Sequence, residues 1–131
     1  MLFTRIKMAT IKKSWGSEST MMDAVAVTDG SWSSDVDLET NGYEGAHVIV
    51  DADFPVGPTN NLIVEVRASL DAANYDDSAL LVFEIDKGID PHQVSFVVKD
   101  LAHCKLFCKR SGGAQTITVT AKYQPWRYES S

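Results

Sequence analysis

The sequence predicts an all-β protein: an antiparallel β-sandwich of jelly-roll type with about seven to nine short strands. Three observations carry that expectation. Apolar and polar residues alternate with period two through most of the chain from residue 45 onward. The breaks between alternating runs hold Gly, Pro, Asn or Asp, which supply turn dihedrals and local side-chain hydrogen bonds. No segment carries an apolar stripe at helical period over the ten or so residues a helix wants.

The elements follow in chain order. Residues 2–11 alternate loosely and suit a strand or an arm, residues 14–17 (Ser-Trp-Gly-Ser) a loop, residues 21–27 a strand, residues 29–34 a Ser-rich loop, and residues 35–38 a short strand. In residues 46–54, Ala46, Val48, Val50 and Ala52 share one face while His47, Asp51 and Asp53 share the other. Leu62, Val64, Val66, Ala68 and Leu70 repeat the pattern with Glu65, Arg67 and Ser69 outward. Further strands are expected over residues 80–85, 94–98 (Val94, Phe96 and Val98 inward), 103–109 and 116–123, the last β-branched almost throughout. Proline falls in the breaks or near the end, as Pro125. The organisation is one domain: residues 1–22 as an N-terminal strand or arm and residues 23–131 as the sandwich.

The chain has 131 residues, 44% hydrophobic and 23% charged, the composition of one globular domain. Its formal charge of -6, with only 12 Lys and Arg, argues against a dedicated nucleic-acid binder, which needs a dense cationic face. Apolar runs are far shorter than the roughly 20 residues that cross a bilayer, and the basic start has no apolar h-region, so neither a membrane span nor Sec export is expected. The charge is segregated. Arg5, Lys7, Lys12 and Lys13 make the start basic, residues 23–100 hold sixteen acids against three bases, and the last stretch is basic again. Basic ends can dock on the acidic middle of the same or a neighbouring subunit, or both regions can simply be solvated.

Cys104 and Cys108 lie four apart in an alternating segment. On a strand their Cα atoms would be about 13 Å apart, too far for a disulfide, so both are expected buried beside Leu106 as small apolar residues. No zinc spacing accompanies them. Acids cluster at Asp51 and Asp53, at Asp71, Asp76 and Asp77, and at Asp86 and Asp90, without an EF-hand pattern; turn chemistry accounts for them more simply than calcium does. His47, His92 and His103 sit in separate contexts, where a surface histidine is ordinarily just solvated. No nucleophile elbow, phosphate loop or His-Glu-x-x-His is present. No catalytic, cofactor-binding or metal residues are therefore assigned. The aromatics Trp15, Trp32, Trp126 and Tyr128 either plug the ends of the sandwich or present a stacking or docking surface.

Three stretches together resemble the small β-sandwich decoration (cement) proteins, or other virion structural proteins, of tailed bacteriophages. They are Ser33-Ser34-Asp35-Val36-Asp37-Leu38 with Gly45-Ala46-His47-Val48-Ile49-Val50; Leu62 through Asp71 into Asn74-Tyr75-Asp76; and Cys104 through Ala114 followed by Ile117 to Ala121. Ala72 stands where that pattern usually has Gly. The resemblance implies a non-enzymatic protein without cofactors that binds the major capsid protein on the capsid exterior of the virion and stabilises the shell. It also implies a homo-oligomer, with a trimer favoured, and a first segment, residues 1–13, that pairs with a neighbour's sheet edge or the capsid. The candidate contact surface is Arg5, Lys7, Lys12, Lys13, Trp15, Trp32, Trp126 and Tyr128. The alternative is a carbohydrate- or receptor-binding module of the same architecture, with Trp15, Trp32 and Trp126 stacking on sugar rings and the acidic loops holding calcium. Fold alone cannot separate the two.

Overall fold

A computed structural model describes residues 11–56, 60–113 and 115–130. Among them are ten strands and no helix: β1 (Ile11–Trp15), β2 (Ser19–Val27), β3 (Ser31–Trp32), β4 (Val36–Asp37), β5 (Gly45–Asp53), β6 (Leu62–Ser69), β7 (Leu81–Ile85), β8 (Gln93–Lys99), β9 (His103–Arg110) and β10 (Ile117–Ser130). One sheet runs β1-β10-β5-β8 with β2 also on β10; the other runs β3-β9-β6-β7 with β4 also on β9. All pairings are antiparallel.

Two strands are one strand interrupted. Residues of β1 pair from Ile11↔Ser130 to Trp15↔Trp126, and β2 continues down the same flank of β10 from Tyr123↔Ser19 to Ile117↔Val27. β3 and β4 share β9 in the same way. Counted once each, these leave eight positions in the orders first-eighth-third-sixth and second-seventh-fourth-fifth. Every connection then crosses between sheets except the β6–β7 hairpin, which is the jelly-roll winding the alternation predicts.

The core lies between the sheets, because each strand has one face to bury. Val48 and Val50 of β5, Val119 and Ala121 of β10 and Met22 of β2 face Val64 and Val66 of β6 and Leu106 and Cys108 of β9. Phe83 and Phe96 stack across the layers at 4.5 Å. Cys104 and Cys108 are free and buried as expected, and burial pushes both thiols up to about 12.

Several boundaries differ from expectation. Ser14 and Trp15 belong to β1, and Ser31 and Trp32 form β3 against Cys108 and Phe107, where loops were expected. Leu70, expected inward, is 88% exposed. β6 ends at Ser69, whose hydroxyl accepts the Asp71 and Ala72 amides and turns the chain before Leu70 can reach the core. Ala72 takes the left-handed conformation (φ 61°), the one glycine adopts without penalty. The largest difference is β10, which continues through Pro125 to Ser130. The Pro125 carbonyl accepts the Gly16 amide at 2.8 Å, so its missing N–H also faces the gap between β1 and β2. The Gly16 carbonyl on that side takes the Gln124 Nε2 donor at 3.0 Å instead. Residues 2–10 of the expected first strand lie outside the described residues.

Candidate interaction surface

On the outer face of the first sheet, Lys13 and Trp15 of β1 sit opposite Tyr128 and Trp126 of β10, beside Gly45 and His47 of β5 and Val97 and Lys99 of β8. Trp126 points outward yet is only 5% exposed. Its ring packs against Gly45, where a Cβ would come within 2.4 Å of the indole, so the bare glycine makes the seat. Trp15 leans on it at 5.6 Å between ring centroids and 58° between planes. The Lys13 ammonium stands 4.5 Å from the Trp126 centroid and 5.0 Å from that of Trp15, a doubled cation–π contact. Trp15 remains 48% exposed, Val97 51% and Tyr128 56%. The result is a groove of ≈ 570 Å³. Its described charged lining is Lys13 and Lys99 with no carboxylate, on a chain whose net charge is -6. The Trp126 Nε1–H has no acceptor among the described residues.

Four of the predicted contact residues, Lys13, Trp15, Trp126 and Tyr128, therefore meet on one face. Lys12 pairs across to Glu129, one position out of step with the groove side chains. Trp32 does not join them: it sits on the opposite sheet, 4.8 Å from Phe107 and 6.0 Å from Tyr75. Arg5 and Lys7 lie outside the described residues. Trp15 and Trp126 are not coplanar, and only Trp15 offers much ring surface.

A polar network the sequence does not foreshadow flanks the second sheet. Tyr75 donates to Asp35 Oδ1 at 2.7 Å, Asp35 Oδ2 meets His103 Nδ1 at 2.8 Å, and Glu39 meets His103 Nε2 at 3.2 Å. His103, expected to be solvated, is buried among carboxylates. The bond to Asp35 raises its pKa against the opposing effect of burial. Burial, and then the same carboxylate, raises that of Tyr75. These partners lie 40 to 68 residues apart, so no local signal could have joined them. Asp71, one of the acids weighed for calcium, uses Oδ1 to accept the Ala73 and Asn74 amides, each at 2.9 Å. Those bonds hold its carboxyl well below the usual range.

These features define a jelly-roll sandwich with an aromatic groove on one outer face whose described charged lining is cationic. No protein-family model matches the sequence, and no curated protein does. Among solved structures, the crystal structure of the SPBc2 prophage-derived protein YomS is similar, with a TM-score of 0.52 and 10% sequence identity over 94% of this chain and 100% of that one. At that identity the likeness establishes a shared fold.

Proposed function

We propose that this protein is a non-enzymatic structural protein of a bacteriophage virion that docks on the capsid exterior, binds the major capsid protein as a homo-oligomer, and stabilises the shell. The observation that carries the proposal is the Lys13–Trp15–Trp126–Tyr128 face. Exposed aromatics around a covered indole anchor, with cations at the margin, are the composition of a protein-docking surface. The prophage origin of a protein with the same fold supports the phage assignment. Repetition over a lattice multiplies weak contacts into tight attachment, so one shallow groove per subunit suffices.

The test is re-addition of purified protein to capsids stripped of their accessory proteins, together with sedimentation velocity to measure the assembled mass. We expect saturable binding, a mass above the monomer, and loss of capsid binding in Trp15→Ala. A monomer that ignores capsids overturns the proposal, and so does capsid binding indifferent to Trp15.

A further inference from the structure

A second cleft, ≈ 370 Å³, opens on the outer face of the opposite sheet, where Trp32, Tyr75, Arg67 and Lys105 meet the 73–77 turn. Its volume is within the range of small-ligand sites, about 300–1,000 Å³. We propose that this cleft binds a neutral pyranoside glycan, with Trp32 as the stacking platform and Lys105, Asp76 and Asp77 as partners of the sugar hydroxyls. The proposal concerns a different face from the shell-docking groove and stands independently of it.

The cleft is held rigid from beneath. Arg67, mostly buried, donates Nη1 to the carbonyls of Asp76 (2.9 Å) and Asp77 and Nη2 to Glu65 (3.2 Å), fixing the turn to β6. Its guanidinium lies 5.9 Å from the Trp32 centroid and 5.7 Å from that of Phe107, so it also props the platform. Tyr75 is anchored separately through Asp35 to His103. Two polar networks on the outside of a sheet thus immobilise one wall each, while Trp32 stays 48% exposed above them. Fixing the walls before a ligand arrives lowers the ordering cost of binding.

The lining chemistry selects the ligand class. Its charged side chains are two cations, Arg67 and Lys105, and two carboxylates, Asp76 and Asp77. The two carboxylates are exposed and in no ion pair among the described residues, and the Lys105 ammonium sits over the Tyr75 ring at 4.7 Å rather than on an acid. A cation would meet Arg67 and Lys105, and an anion would meet both aspartates. A pyranose avoids either clash: its C–H face covers an indole, and its hydroxyls both donate to carboxylates and accept from ammonium or guanidinium.

Affinity electrophoresis of the full chain tests this, in gels cast with hydroxyethyl cellulose, xylan, galactomannan or glycogen, and with polygalacturonate as the anionic control. We expect retardation in at least one neutral gel, with a Trp fluorescence shift on titration. Trp32→Ala should weaken binding at least about tenfold, while Trp15→Ala leaves it unchanged. The Asp76→Asn, Asp77→Asn double variant alters exposed turn positions only; it should weaken binding likewise, and it serves if Trp32→Ala fails to fold. The proposal is overturned by mobility unchanged in every neutral gel, by retardation in polygalacturonate alone, or by retardation that survives both variants. Capsid binding lost in Trp32→Ala with no polysaccharide effect would make this face a protein contact and equally overturn it.

Discussion

Single atoms decide much of this molecule's stability. A methyl group at Gly45 would meet Trp126 at 2.4 Å and the Val98 carbonyl oxygen at 2.5 Å; the ring can swing away, but the carbonyl belongs to a neighbouring strand. Gly45→Ala should cost about 1–3 kcal/mol and lower Tm by about 4 °C per kcal/mol in a thermal melt. The opposite sign is expected at Ala72, exposed and held at φ 61° with no packing to lose. Ala72→Gly should relieve that backbone and raise the urea-unfolding free energy by about 0.5–1 kcal/mol. His103 supplies a pH dependence. Its pKa is raised in the fold by Asp35, with Asp37 and Glu39 adding. The unfolded chain therefore loses this proton first as pH rises. The stabilisation is complete below the ordinary value of 6.5 and is lost as pH climbs through the raised one. Melts from pH 6 to pH 9 should show Tm falling in the wild type. In His103→Gln the slope should be flatter, with stability at pH 6 lower by about 1–3 kcal/mol from the charged hydrogen bonds removed.

At the scale of elements, legibility in the sequence tracks burial. β5, β6, β8 and β9 announce themselves because each presses one face into the core, and a strict period of two is the trace such a face leaves. β1 buries almost nothing and so leaves no trace, and β3 is two residues long, too short to show a period, whereas β4 falls within the short strand expected over residues 35–38. β10 was half legible: the β-branched run marks its first half, while Pro125 reads as a stop. It is no stop because the edge strand alongside is broken at the same height, and Gln124 fills the place of the missing donor. Gln124→Ala should hand the Gly16 carbonyl to water and cost about 0.5 kcal/mol by urea denaturation, with faster amide exchange across residues 14–18. The groove was legible as residue types and not as a place. Lys13, Trp15, Trp126 and Tyr128 suggest contact chemistry, but only the extension of β10 beyond Pro125 brings them side by side, while Trp32 pairs against β9 in the other sheet.

Across the whole molecule, the winding joins what the chain separates. The first described strand pairs with the last, and all hairpin-like neighbours but one lie in opposite sheets. Such non-local pairing must close large loops before it gains stability, so refolding followed by tryptophan fluorescence in stopped flow should take milliseconds to seconds, not microseconds. The two clefts lie on opposite sheets and differ in charged lining, so variants in one should leave the other's binding intact. Because Ile11 lies across from Ser130, the first and last described strands end side by side at this edge of the sandwich. A pull applied between Ile11 and Ser130 would peel β1 from β10 one hydrogen bond after another, at low force. Strain delivered broadside through a sheet would instead have to shear many bonds and the interleaved core at once. Anything that must bear load with this domain does so best by gripping its flat sides and not the open end of the β1–β10 pair.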